Sequence, residues 1–236
     1  MPYKSGMNLE DRLLYRDGLM LVIDKPAGIP VHAGPGGGPN LEENFDQFRY
    51  GLPKPPALAH RLDRDTSGCL VLGRHRKALA RLGKQFEGGR IEKKYLAILP
   101  LIPLESAGTI DMSLCKVSKH KGWKMKIAEK GDTDVQASVT DYKVLATAEG
   151  QSLIAFSPRT GRTHQLRVHS LGAFGCAILG DTLYGGEEDH RQKRLYLHAA
   201  SIVIPLYPNK PAITVNAPLP PEFKALQAVA NWDGSL

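Results

Sequence analysis

The chain has no long apolar run, and nothing in its 236 residues approaches the roughly 20 consecutive apolar positions of a membrane-spanning helix. The segment from Met1 to Arg16 is polar and lacks the apolar stretch of a secretory signal, so a reducing cytoplasm is the expected setting. Cysteine is scarce. Cys69, Cys115 and Cys176 are far apart and odd in number, and none forms a Cys-x-x-Cys pair. That speaks against both a zinc ribbon and a disulfide frame. Cys69 and Cys176 stand among Leu, Val, Ala and Ile, the usual surroundings of a thiol acting as a small core residue. There is no internal repeat and no low-complexity linker, so one continuous domain over 1–236 is expected, with its core at about 18–220. Acidic residues are outnumbered: 24 Asp and Glu against 31 Lys and Arg give a net charge of +7. Such a balance favours an anionic partner, nucleic acid first, although a basic surface kept for solubility reads the same way.

What is present describes an ordinary globular protein, 42% hydrophobic and 23% charged. Residues 19–23 read as a buried strand stopped by the turn Asp24-Lys25-Pro26-Ala27-Gly28. Gly34 to Pro39 is almost all Gly and Pro, but no Gly-Lys-Ser/Thr follows, so it reads as a surface loop and not a phosphate cradle. Cys69–Leu72 reads as a strand. Arg74 to Gln85 reads as a helix, with Leu79, Leu82 and Phe86 on one stripe and Arg74, Lys77, Arg81 and Lys84 largely elsewhere. Tyr95–Leu99 and Leu153–Phe156 are apolar enough for buried strands. Val135, Ala137 and Val139 alternate with polar residues, predicting a half-exposed strand that continues to Tyr142 and Val144. Thr163 to Leu171 is a candidate helix with Thr163 as its cap. Ser201–Pro205 and Ile213–Val215 add strands, and Glu222 to Trp232 reads as one closing helix. Strands outnumber helices without alternating with them. The fold class that follows is α+β, a mixed, mostly antiparallel sheet with peripheral helices.

Two polar runs carry the chemistry. The first is His60-Arg61-Leu62-Asp63-Arg64-Asp65-Thr66-Ser67-Gly68, in which only Leu62 is apolar enough to be buried. The second is Thr160-Gly161-Arg162-Thr163-His164-Gln165-Leu166-Arg167-Val168-His169, a cationic set around a Gly turn. An aspartate in such a loop is commonly just a turn-forming residue, but this density of polar groups between apolar stretches points to a displayed site. Asp63 and Asp65 together also invite a magnesium-dependent phosphoryl-transfer reading. Against it, Ser67 stands where that pattern wants Thr, and no acidic pair for magnesium follows downstream. His164 and His169 are five apart and fall on different helical faces, so they read as hydrogen-bonding or phosphate-contacting groups and no metal is expected. Lys116 to Lys126 gathers five lysines, His120 and Trp123. It is either a solvated loop or a nucleic-acid contact with charge for phosphates and a ring for stacking.

Both runs closely resemble the signature segments of the RluA-type RNA pseudouridine synthases. Asp24–Gly28, Lys93-Lys94-Tyr95-Leu96-Ala97, Ile178-Leu179-Gly180-Asp181 and Leu197-His198-Ala199 fall in that family's order. The resemblance spans roughly residues 18 to 220 and implies the pseudouridine synthase fold with a catalytic cleft across its sheet. It implies an isomerase that detaches uracil from ribose, rotates it and rejoins it through carbon 5, with no cofactor. Asp63 matches the family's catalytic aspartate, as nucleophile or as base on the ribose. Arg167 matches the arginine that pairs with it, Tyr95 the ring that stacks on the target base, and Leu197 the apolar wall beneath that base. Arg61 matches the side chain that fills the gap left by the flipped uridine.

Phosphate contacts are expected from Arg162, from Lys116, Lys119, Lys121 and Trp123, and from the basic Arg74–Lys84 helix. The expected partner is a stem-loop of ribosomal or transfer RNA, read by a monomer with no membrane contact. Barely twenty residues precede the first strand of this domain, so the amino-terminal S4-type RNA-binding module of many members is not expected here. The competing reading is an inactive RNA-binding chaperone of the same fold, against which the joint presence of Asp63, Tyr95 and Arg167 speaks.

Overall fold

The computed structural model describes residues 8–34, 37–117, 124–186 and 194–236. In chain order the strands and helices are β1 (Leu13–Arg16), β2 (Met20–Lys25), β3 (Ala57–Leu58), β4 (Ser67–Gly73), α1 (Arg76–Glu87) and β5 (Glu92–Leu99). There follow β6 (Ala107–Asp111), β7 (Leu114–Lys116), β8 (Met125–Ile127), β9 (Val139–Ala148), β10 (Gln151–Pro158) and α2 (Gln165–Phe174). The chain closes with β11 (Leu197–Ile204), β12 (Ile213–Asn216), α3 (Pro221–Lys224) and α4 (Gln227–Ala230). Among the described residues no helix is long and apolar enough to cross a membrane.

The chain divides into two compact units. One comprises Met1–Lys93 and Ala199–Pro218, the other Lys94–His198 and Leu219–Leu236. In the first, the strand order is β1-β2-β4-β11, with β3 also on β4 and β12 on β11. β2 pairs antiparallel with β4 so that Lys25 stands opposite Gly68 and Asp24 opposite Cys69. Every residue of β4 is buried, as expected of an apolar run covered on both faces. Met20, Val22, Cys69, Val71, Ile202 and Val215 pack with Leu82 of α1. That helix starts where His75 accepts a bond from the Ala78 amide at 3.3 Å. Arg74 precedes the helix. Its guanidinium donates to the carbonyls of Asp17 (2.8 Å) and Tyr50 (3.3 Å), so it serves the fold and leaves the basic face to Lys77, Arg81 and Lys84.

In the second unit the order is β5-β10-β9-β6, all antiparallel where β10 meets β5 and β9, and where β6 meets β9. Phe156, Ile154, Ala97, Leu99, Leu166, Ile178 and Leu197 form its core. β7 and β8 make a separate antiparallel pair. The described architecture is the α+β class with a mostly antiparallel sheet.

Three local expectations change. Val135 and Ala137 lie outside β9, because Gln136 pairs with Leu114 beside β7 through two backbone bonds of 2.8 and 2.9 Å. The closing helix is broken at Leu226, which is extended (φ −92°, ψ 136°). A continuous helix would carry Phe223 and the Ala228–Val229 pair on different faces, whereas the break buries all three. Helix α2 begins at Gln165 with His164, not Thr163, at its cap, since a left-handed His164 (φ 53°) turns the chain into the helix.

Of the thiols, Cys69 and Cys115 are buried and Cys176 is only half-buried. Burial and the charge of Asp24 push the Cys69 thiol up to about 12, so it remains an inert core residue. Gly68 is the tightest point of the first unit. Its φ of 106° is left-handed, and a Cβ there would overlap the Ala199 backbone. Gly68→Ala should therefore cost about 3 kcal/mol or more through combined strain and overlap. Urea unfolding against wild type measures it.

Candidate active site

The Asp63 run sits in the first unit, between β3 and β4. Its backbone is held from beneath by the turn that follows β2. Lys25 is fully buried, and its ammonium donates to the carbonyls of Pro26 (2.9 Å), Arg64 (2.9 Å) and Thr66 (2.8 Å). The Gly28 amide adds a second bond to the Arg64 carbonyl at 2.9 Å, where Gly28 takes a left-handed φ of 86°. The Thr66 amide closes a turn onto the Asp63 carbonyl at 3.2 Å. A lysine whose protons all meet carbonyls can stay buried, because each lost water is replaced. Leu62 is buried as its side chain dictates, Asp63 is half-buried and Arg61 is exposed. The Asp65 carboxylate meets the Arg64 guanidinium at 3.0 and 3.1 Å.

His60 anchors the other end of the run. Its Nε2 accepts the Val71 amide of β4 at 3.0 Å, and its ring stacks on Phe86 of α1 at 4.6 Å. The residue is half-buried, and burial and the charge of Lys93 pull its pKa down to about 3. The imidazole is therefore a neutral acceptor.

In the second unit, Arg167 of α2 is buried and engages Asp181, fully buried, through Nε (2.7 Å) and Nη2 (2.6 Å). Asp181 also accepts the amides of Leu183 (3.0 Å) and Tyr184 (3.1 Å). This bidentate geometry fixes the plane of the guanidinium. The Tyr184 ring lies 5.1 Å from Arg167 Cζ. The loop ahead of α2 is closed by Gln165, whose Oε1 accepts from the Arg162 amide (2.9 Å) and Thr160 Oγ1 (2.8 Å). His169 is buried on Thr140 Oγ1 and the Met112 carbonyl, both at 2.9 Å, which makes it a core group and not a phosphate contact. Burial also depresses its pKa.

Of the other residues singled out from sequence, Tyr95 is half-buried on β5 opposite Phe156, and Leu197 is buried in the same core. Arg162 is exposed, with Nε on the Ala137 carbonyl at 3.1 Å, and Lys116 is exposed at the end of β7. Lys119, Lys121 and Trp123 lie outside the described residues. Asp63 and Arg61 thus share one unit, while Tyr95, Arg162, Arg167, Leu197 and Lys116 belong to the other. Among the described residues no three His, Cys, Asp or Glu side chains cluster as a metal site would need. Sequence reasoning missed the roles of Lys25, Gln165, Asp181 and Tyr184. Two signals were available: an Asp-Lys pair ending an otherwise apolar strand, and an aspartate directly after Ile178-Leu179-Gly180.

Two outcomes follow. Lys25→Met keeps the bulk but removes the ammonium from three carbonyls, of which that of Arg64 keeps another donor, the Gly28 amide, and should cost about 3 kcal/mol in chemical denaturation. For His60, the folded pKa is depressed from 6.5 to about 3. Below pH 6.5 the unfolded chain takes up a proton that the folded chain refuses, so stability is lost as pH falls through that window, by up to about 1.4 kcal/mol per unit. His60→Gln should flatten this acid loss in urea titrations run from neutral pH downward.

Comparison with known proteins fits this geometry. The family model described as RNA pseudouridylate synthase matches residues 19–171. An uncharacterized RNA pseudouridine synthase of Zymomonas mobilis is 43% identical over 219 residues, covering 92% of this chain and 98% of that protein. The ribosomal large subunit pseudouridine synthase C of Buchnera aphidicola (from Acyrthosiphon pisum) is 34% identical, over 94% of this chain and 72% of its own. The solved structure of human RNA pseudouridylate synthase domain containing 4 superposes with a TM-score of 0.77 at 28% identity, covering 92% of this chain and 91% of that one. Human RNA pseudouridylate synthase domain containing 1 gives 0.76 at 30% identity, over 93% and 87%. With a family model over more than half its length and relatives of this similarity, the chain belongs to the RNA pseudouridylate synthase family.

Proposed function

We propose that this RNA pseudouridine synthase isomerises a uridine in large-subunit ribosomal RNA, with Asp63 as the catalytic carboxylate. The observation that carries the assignment is the clamp on the Asp63 backbone. A buried ammonium and a glycine amide fix residues 64–66 while the aspartate side chain stays half-exposed. Such a loop presents a carboxylate in one place without moving to meet the substrate. Relatives named for the large ribosomal subunit, at 34% and 38% identity, favour ribosomal over transfer RNA.

In this reading the target uridine is flipped out of its stack and Arg61, exposed two residues before Asp63, takes the vacated place. Tyr95 stacks on the extruded base and Leu197 gives it an apolar wall. Arg167, its plane held by Asp181, matches the arginine that pairs with the catalytic aspartate in this family. Asp63 either attacks the sugar–base unit or takes a ribose proton. Either route ends with uracil rejoined through carbon 5, with no change of oxidation state and no cofactor. Arg162, Lys116, Lys119, Lys121 and Trp123 supply phosphate and stacking contacts.

The test supplies unmodified transcripts of large-subunit ribosomal RNA and of transfer RNA, with tritium on carbon 5 of uracil, and measures tritium release. Release from the ribosomal transcript that falls to background in Asp63→Asn is the expected result. Tyr95→Phe should lose less than Asp63→Asn, because stacking survives removal of the hydroxyl. Log affinity should fall by roughly 0.7 per phosphate contact per tenfold salt on a single strand. Release from the transfer RNA alone would reassign the substrate.

A further inference from the structure

Tyr184 contacts groups that bear on Arg167 and on the β7–β8 hairpin. Its hydroxyl accepts the Met125 amide at the start of β8 at 2.9 Å and meets His164 Nδ1 at 2.8 Å. Its own amide is held by Asp181, the partner of Arg167. Arg167 Cζ lies 5.1 Å from its ring centroid and Lys124 Nζ lies 5.4 Å from it. The side chain is buried and packs with Leu114, Met125 and Val168. One residue thus touches the hairpin, the left-handed cap of α2, the catalytic helix itself and the carboxylate that orients the arginine.

The hydroxyl also bears on the tautomer of His164. A phenol has one proton and two lone pairs. With one lone pair taken by the Met125 amide, the hydroxyl can donate its proton to His164 Nδ1, and in that arrangement a neutral imidazole carries its own proton on Nε2. His164 is itself strained, with a φ of 53° that only an over-determined setting maintains. The bond from Tyr184 is part of that determination.

We infer that Tyr184 is a positioning residue whose hydroxyl couples the β7–β8 hairpin to the placement of Arg167 for the isomerisation. This rests on the reading of Lys116 and its hairpin as an RNA contact. RNA seated on the hairpin sets the position of the Met125 amide. The hydroxyl passes that position to His164 at the first turn of α2, and the ring and amide pass it to Arg167 and Asp181. The device makes the arginine's alignment depend on correctly docked RNA.

Tyr184→Phe removes the hydroxyl and keeps the ring, so the packing and the Arg167 contact survive. The expected result is a kcat about tenfold or more below wild type in the tritium-release assay. RNA affinity, measured by filter binding in an Asp63→Asn background, should stay within about twofold. Nitrogen-15 NMR of the imidazoles should place the wild-type His164 proton on Nε2, with a mixture of tautomers in Tyr184→Phe. Equal kcat in the two proteins, or a wild-type His164 protonated on Nδ1, would overturn the inference. So would lost affinity with kcat intact. If wild type itself releases no tritium, the synthase reading fails on its own terms, and the tautomer measurement still decides whether the hydroxyl makes the bond assigned to it.

Discussion

A buried positive charge with no carboxylate among its three bonded carbonyls organises the first unit. The ammonium of Lys25 replaces its water shell with backbone oxygens of Pro26, Arg64 and Thr66. Two of those oxygens belong to the segment that carries Asp63. Burial of an ion is costly unless every donor finds an acceptor, and that same cost is what makes the arrangement rigid. The loop cannot shift without stranding the lysine. β2 delivers the lysine in register opposite Gly68, the point where the loop rejoins β4 and where only glycine fits against Ala199.

The second unit solves the equivalent problem with opposite chemistry. There the buried anion is Asp181, and its two oxygens serve two arginine nitrogens and two amides. Four donors satisfy the carboxylate, and the turn at 181–184 is tied to α2 through Arg167. In both units a buried charged side chain holds the backbone or the plane of a residue proposed to act on the substrate. Precision at such a site comes from this outer ring of bonds as much as from the reacting groups.

Much of this could be read from the residues alone. The buried strands at 20–25, 67–73 and 151–158 announce themselves as apolar runs, and α1 by its Leu79, Leu82 and Phe86 stripe. The two signature runs located Asp63 and Arg167 and pointed to the family. What stayed illegible was pairing at a distance. Gln136 alternates as a strand residue would, but its backbone is claimed by Leu114, which no local pattern reveals. Thr163 is a better cap by propensity than His164, yet tertiary bonds from Tyr184 and the Gln165 brace on Arg162 decide where α2 starts. The tail from 222 to 232 has helical composition throughout, and only the need to bury both Phe223 and Val229 breaks it. Lysine and aspartate interiors are the hardest of all, since both types are ordinarily surface residues. Their acceptors and donors come from turns that the sequence shows only as turns.

His60 carries one more implication. Burial and the charge of Lys93 keep its ring neutral around neutral pH, so it functions as a rigid heterocyclic spacer between the Val71 amide and the start of the signature run. A histidine three positions before the aspartate of the signature run would ordinarily be suspected of shuttling protons. This one is disqualified by its surroundings. An inflection in the rate–acidity curve near neutrality is therefore expected to arise from a group other than His60.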